Sequence, residues 1–146
     1  MLPRWHILSG ALFTILILAV APKISFVYLS LIFFASFLID FDHYINAVLK
    51  TGKLSLIEAF EYYKKREKEL DEYERKYKKR VRGDFHLFHT LEFQLLVGII
   101  GIFLLPLFYL FIGMVFHSLL DLIGLAKAGK LHRREYFLFN FLRKRC

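Results

Sequence analysis

Cysteine is almost absent from this sequence, and proline is scarce. The single cysteine, Cys146, excludes an internal disulfide and any zinc site built from several thiolates, and we expect it to be inert. Of only three prolines, Pro22 and Pro106 lie where long apolar runs are divided. The chain also lacks the PSGH-type loop of lipid phosphatases and the Glu-Glu pair of a glutamate-type intramembrane protease, which excludes both enzyme classes.

Apolar residues are abundant. Hydrophobic residues make up 57% of the 146, and 17 are phenylalanine, whereas a soluble domain is about 45–50% apolar. The excess therefore predicts side chains that face lipid. The chain also carries a formal charge of +8, but its basic residues flank apolar runs, so we expect no nucleic-acid partner.

The hydropathy pattern predicts an all-α protein, an integral membrane four-helix bundle made of two transmembrane hairpins. Roughly 20 apolar residues cross a bilayer. The predicted spans are residues 5–21, 24–47, 85–105 and 106–126. The first resembles a signal peptide, but it is longer than a usual signal core, so we expect it to be retained. For the last two, a single kinked helix is the alternative, and the length of the run argues against it.

Residues 48–84 form a polar insert between the second and third spans. Ser55 and Glu58 have the spacing of a capping box, and acidic residues repeatedly precede basic ones by four positions. This pattern predicts a long charged helix over residues 55–82. It could be a solvated connector, or it could pack on the membrane surface, on its twin in a homo-oligomer, or on a protein partner.

Basic residues indicate the orientation. Twenty of the 21 Lys and Arg residues lie in the two terminal segments and the insert, and only Lys23 lies in the opposite turns. Positively charged loops stay in the cytoplasm. We therefore predict a multi-pass protein of the cytoplasmic membrane with both termini inside. Residues 130–146 interleave basic and aromatic residues, which predicts an interfacial tail on membrane lipids.

Nearly all the ionisable residues of the predicted spans lie at this cytoplasmic side. The predicted metal ligands are His6, Asp40, Asp42, His43, His86, His89, His117 and Asp121. The pairs Asp40–His43, His86–His89 and His117–Asp121 are three or four residues apart, so each pair shares one helix face. Helical bundles build di-metal sites from such faces. Nitrogen and oxygen ligands without thiolate suit zinc, manganese or iron, so the sequence predicts one or two divalent ions.

Some of these residues keep other interpretations. His6 could be an interfacial anchor, and Asp42 could be a helix-end carboxylate that faces water. Glu92, three residues after His89, could be a ligand, a general base or a buried structural acid. Haem held by paired histidines is another alternative, but the adjacent aspartates argue against an apolar haem pocket.

Four short motifs carry a resemblance to a known family. They are "WHILSG", "DFDH", "HLFH" and "HSLLD", in the order in which they occur along the chain. Together they resemble the membrane-bound, metal-dependent hydrolases of the YdjM type, which are LexA-binding and associated with the inner membrane. The resemblance covers most of the chain apart from residues 48–84. It implies a membrane metal site and a hydrolase activity.

The predicted function is metal-dependent hydrolysis at the cytoplasmic membrane surface. A site at the depth of the lipid headgroups favours a lipid or lipid-linked ester, and above all a phosphoester. Glu92 or Asp42 would serve as the general base. The alternative is a non-catalytic membrane scaffold that is stabilised by metal and presents the 55–82 helix to a partner.

Overall fold

The computed structural model describes residues 3–143, and all the regular secondary structure in that range is helical. Cys146 and the last part of the predicted interfacial tail lie outside the described residues. The seven α-helices are α1 (Pro3–Val20), α2 (Phe26–Leu38), α3 (Phe41–Thr51), α4 (Leu56–Tyr77), α5 (Leu91–Gly101), α6 (Leu105–Lys127) and α7 (Leu138–Arg143). Single 3₁₀ turns occur at Leu87–His89 and Leu131–Arg133.

The apolar helices pack around α2 and α6. These two helices contact each other along their length, while α1 packs on α2 and α5 packs on α6. The contact between α2 and α6 is close because a Cβ atom at Gly113 would lie only 2.4 Å from the Ile32 carbonyl oxygen. The contact between α1 and α2 is also close, because a Cβ at Gly10 would lie 2.0 Å from Ser36 Oγ. Small residues thus bring three helices together.

Two segments are long and apolar enough to cross a membrane. They are Phe26–Thr51, which combines α2 and α3, and Leu105–Lys127. The apolar helices α1 and α5 are shorter. Large apolar side chains are exposed at the ends of the apolar helices and in the turn after α5, and Val20, Phe26 and Phe103 are each at least 79% exposed.

The predicted second span is interrupted. The α2 helix ends at Leu38, and α3 begins at Phe41 and runs to Thr51, four residues beyond the predicted boundary of 47. The third predicted span begins with an irregular segment and a 3₁₀ turn, so that α5 has only 11 residues. Pro106 lies in the first turn of α6, where a missing backbone N–H costs nothing. The chain therefore turns between α5 and α6 and does not form one kinked helix.

The charged helix α4 is shorter than the predicted 55–82. It ends at Tyr77, where Lys78 adopts a left-handed conformation with φ of 55°. Ser55 precedes the helix, but its side chain makes no capping hydrogen bond. Glu58 forms an ion pair with Lys53 instead, at 2.6 Å, so the predicted capping box does not form.

Candidate metal centre

Four of the predicted ligands form one compact group. Asp40, His89, His117 and Asp121 each offer a ligand atom, and these atoms all lie within 4.8 Å of one another. The Nε2 atoms of His89 and His117 are 3.2 Å apart, and Asp40 Oδ1 lies 3.3 Å from each of them. Asp121 Oδ2 lies 3.4 Å from His117 Nε2 and 3.8 Å from His89 Nε2. These residues could hold a metal ion.

Three structural elements deliver these side chains. Asp40 lies at the break between α2 and α3, and His89 ends the 3₁₀ turn that precedes α5. Thr90 then begins α5 by accepting a hydrogen bond from the Phe93 N–H, which fixes the position of the turn. His117 and Asp121 are one turn apart on α6, and both are buried. The site therefore lies where the two predicted hairpins meet.

The two histidines face each other through their Nε2 atoms. The His117 Nδ1 atom lies 2.8 Å from the Ser36 carbonyl oxygen. A carbonyl can only accept, so Nδ1 donates, and in the neutral imidazole Nε2 then carries the lone pair. His89 Nδ1 is held in the same way by Asp42 Oδ2 at 3.1 Å. The two Nε2 atoms, 3.2 Å apart, are therefore the atoms that the neutral imidazoles offer to a cation.

The spacing of the group fits a small metal ion. Tetrahedral ligands at about 2.0–2.1 Å from an ion lie roughly 3.3 Å from one another. The measured separations that involve the two histidines, from 3.2 to 3.8 Å, are close to this value. The donors are two imidazole nitrogens and two carboxylate oxygens, a set that suits zinc, manganese or iron.

Asp42 orients His89. Its Oδ2 atom accepts hydrogen bonds from His89 Nδ1 and from the Phe88 backbone N–H at 2.9 Å. Carboxylates that hold the far nitrogen of a ligating histidine set its tautomer and raise its basicity. The second oxygen, Oδ1, is buried and accepts no hydrogen bond from residues 3–143. Asp42 therefore holds His89 through Oδ2, while Oδ1 can accept a proton.

His6 joins the group from α1. It is fully buried and stacks on the His117 ring with centroids 4.2 Å apart. Its Nε2 atom lies 3.2 Å from Asp121 Oδ1, in an orientation that makes no hydrogen bond. Its Nδ1 atom makes none within the described chain either. A buried imidazole in this position contacts the cluster directly, which an interfacial anchor would not do.

His43 and His86 form a second layer beside the cluster. Asp42, His43 and His89 make up a second group that could hold a metal ion, and His43 Nε2 lies 3.4 Å from Asp40 Oδ1. The His86 ring packs against His43 with centroids 3.6 Å apart. Asp40 Oδ1 is therefore within 3.4 Å of three imidazoles.

Tyr63 is a contact that the sequence analysis did not assign to the site. Its hydroxyl lies 3.1 Å from the His43 carbonyl oxygen and 3.1 Å from His86 Nε2. The hydroxyl must donate to the carbonyl, so it accepts from His86 Nε2–H. No local pattern in the sequence shows that this tyrosine reaches a histidine 23 residues away.

Arg134 is a second such contact. Its guanidinium donates to Asp121 Oδ2 at 2.5 Å, and its side chain is 13% exposed. The sequence placed Arg134 among several basic residues near the membrane surface. No pattern in the sequence indicates that Arg134 reaches Asp121, whereas the nearby Lys130 and Arg133 pair with acidic residues of α4.

Glu92 is not brought to the cluster. Its carboxylate accepts hydrogen bonds from the backbone N–H groups of Leu138 and Phe139, at 2.9 and 3.4 Å. Both N–H groups belong to the first turn of α7, where no intrahelical acceptor exists for them. The structure thus gives Glu92 a capping role, because its two oxygens face a helix terminus and not the imidazoles.

Comparisons with known proteins identify no relative. No protein-family model matches the chain, no curated protein matches it, and no solved structure matches it.

Proposed function

We propose that this protein is a metal-dependent hydrolase of the cytoplasmic membrane, with both termini inside. In this proposal the four apolar helices form a membrane bundle, as the hydropathy pattern predicts, and the metal site and hydrolase activity are those that the resemblance to YdjM-type hydrolases implies. The substrate is a lipid or lipid-linked phosphoester. The observation that carries the proposal is the compact group in which the Nε2 atoms of His89 and His117 face each other, with Asp40 and Asp121 beside them.

Each residue of the site has a separate part in this reaction. Asp40, His89, His117 and Asp121 hold the metal, while Ser36 and Asp42 keep the two imidazoles in the required tautomer. A bound divalent ion supplies Lewis acidity and lowers the pKa of water that it coordinates.

Asp42 is the general base of the proposed reaction. Its buried Oδ1 accepts the proton from the attacking water. Its Oδ2 meanwhile keeps His89 in place, so that proton transfer does not disturb the ligand. Glu92 is not assigned the role of general base, because its oxygens cap α7.

Exposure supports access from the cytoplasmic side. The side chains of Asp40 and His43 are each 27% exposed, whereas those of His89, His117 and Asp121 are at most 6% exposed. Water and substrate can therefore reach the cluster past Asp40 and His43, next to the charged helix α4.

Elemental analysis of the purified protein tests the proposal, together with a panel of lipid phosphoesters assayed with added zinc, manganese and iron. Asp121→Ala removes one metal ligand, and we expect it to lose both bound metal and hydrolysis. The control is Glu72→Ala, which removes an exposed carboxylate from α4 and should retain both. Unchanged metal content in Asp121→Ala contradicts the assignment of Asp121 as a ligand.

A non-catalytic scaffold is the second candidate function. The observation that favours it is the apolar surface at the start of α4, where Leu56, Ile57 and Phe60 are each at least 57% exposed. Such a surface suits a protein partner. A metal that exchanges slowly and a full lipid panel without turnover would favour the scaffold over the enzyme.

A further inference from the structure

A cleft of about 390 Å³ opens beside the cluster on the cytoplasmic side. One wall is the irregular segment after α4, which carries Arg80 and Arg82. The other wall is the segment between α6 and α7, which carries Arg134 and Glu135. The Gly83 N–H donates to the Arg133 carbonyl oxygen at 2.8 Å, and this hydrogen bond holds the two walls together.

The cleft is positively charged. Three arginines line it, and Glu135 is the one carboxylate among the described lining residues, so these side chains carry two net positive charges. Glu135 pairs with Arg82, and Arg134 bonds to Asp121 while it also lines the cleft. Arg80 and Arg134 thus present guanidinium groups from the two walls. A planar guanidinium donates paired hydrogen bonds that match the oxygens of a phosphate.

Arg134 connects the cleft to the cluster. Its guanidinium bonds to Asp121 Oδ2, which is itself 3.4 Å from His117 Nε2. A guanidinium has five donors, and one of them is used by Asp121. A phosphoryl group in the cleft would therefore lie one side chain away from the candidate metal ligands.

Two neighbouring basic residues form ion pairs with α4. Lys130 pairs with Glu67 and Asp71 on α4, at 2.9 and 3.0 Å. Arg133 pairs with Asp71 and Glu74. These residues fasten the 130–133 segment to α4, and neither lines the cleft. Val81, Leu131 and Phe137 add apolar surface to the same cleft, which suits an amphiphile.

We infer that this cleft binds the phosphoryl group of the substrate, with Arg80 and Arg134 as the ligands of its oxygens. The inference rests on the proposed function and assigns the residues that recognise its phosphoester substrate. The shared chemistry is a phosphate anion, which could belong to a lipid headgroup or to a free phosphate.

Binding measurements on the full chain in detergent test this inference without any need for turnover. The probes are inorganic phosphate and dioctanoyl phosphatidic acid, titrated calorimetrically into the wild type, Arg80→Gln and Arg134→Gln. Each variant removes a charge-assisted hydrogen bond, so we expect affinity for both probes to fall about tenfold. The matched control, Arg75→Gln, removes an exposed arginine from α4 and should bind both probes as the wild type does.

Arg134→Gln also removes a partner of Asp121 and could disturb the fold. Arg80→Gln keeps the test decisive because Arg80 is exposed on an irregular segment. Similar affinity for the two probes supports a phosphate site, and tighter binding of phosphatidic acid supports a lipid headgroup site. Undiminished binding of both probes in Arg80→Gln overturns the inference, as does a wild type that binds neither probe at millimolar concentration.

The two proposals can fail separately. If the wild type binds phosphate through the two arginines but hydrolyses no phosphoester, the proposed hydrolase is wrong and the phosphate site remains. If the wild type hydrolyses phosphoesters while Arg80→Gln and Arg134→Gln bind and turn them over normally, the cleft is wrong and the hydrolase remains.

Discussion

At the scale of single residues, the histidine and aspartate positions follow from simple spacing. The pairs three or four residues apart on one chain segment identified every side chain of the group Asp40, His89, His117 and Asp121. Their partners did not follow from spacing. The Ser36 carbonyl, which fixes the His117 tautomer, is a backbone atom 81 residues away, and a sequence carries no mark of which carbonyl a histidine meets.

Tyr63 gives a test at this scale. Tyr63→Phe removes the hydroxyl that bonds to the His43 carbonyl and to His86 Nε2, while the ring remains. Loss of a partly buried hydrogen bond costs about 1 kcal/mol of unfolding free energy, which corresponds to roughly 2–4 °C in midpoint for a chain of this size. Thermal unfolding in detergent measures the change.

The matched control for this experiment is Tyr73→Phe. Tyr73 is 45% exposed and its ring packs against Tyr77 at a tilt, a contact that phenylalanine retains. Equal midpoints for the two variants would show that the Tyr63 hydroxyl contributes nothing specific.

At the scale of elements, the helical pattern of the insert predicts α4. The predicted C-terminal boundary at residue 82 is wrong, because the helix ends at Tyr77. The charges of residues 78–82 look helical in sequence, but Lys78 turns left-handed and Glu74 captures the Val81 N–H at 2.9 Å. Glu74 also bonds to His132 at 2.7 Å and pairs with Arg133. These contacts come from distant sequence, so helical propensity alone places the end of α4 too late.

Glu74 makes this junction sensitive to pH. Its contact with the Arg133 guanidinium, supported by the Val81 N–H, lowers the pKa of Glu74 to about 2. Because the folded pKa is below the unfolded value of about 4.5, the stabilisation is complete above pH 4.5. It is lost as the pH falls toward 2.

We therefore expect Glu74→Gln to lower the unfolding midpoint relative to the wild type at pH 6. The difference between the two proteins should shrink steadily below pH 4.5, because the wild-type carboxylate becomes protonated. Thermal unfolding as a function of pH measures this, with Glu72→Gln on the exposed face of α4 as the control. A difference that stays constant from pH 6 to pH 3 would contradict the role of the ionised carboxylate.

At the scale of the whole molecule, composition predicts an all-helical chain with apolar helices, and the structure confirms that coarse result. Two helices are long enough to cross a membrane, and α1 and α5 are shorter than the predicted spans. The shortening of the third predicted span comes from His86, His89 and Thr90, which break the helix to deliver His89. Hydropathy averages over such a break and does not detect it.

Metal addition is the test that belongs to this scale. The candidate ligands come from separate helices, so an ion that binds only the folded chain stabilises it by about 2.7 kcal/mol at 100 times its dissociation constant. We expect zinc or manganese to raise the unfolding midpoint of the wild type, and a chelator to reverse the rise. His117→Ala should show neither effect, and an equal rise in that variant would place the ion elsewhere.

The distribution of the cluster along the chain has a consequence for biogenesis. His6 leaves the ribosome more than one hundred residues before Asp121, and Asp40 and His89 emerge between them. Until α6 is delivered, the carboxylate of Asp40 and the stacking face of His6 lack the partners that they have in the finished protein. The earlier helices therefore remain incompletely assembled until α6 is synthesised. Quality-control proteases can recognise nascent chains that are arrested before α6 is complete.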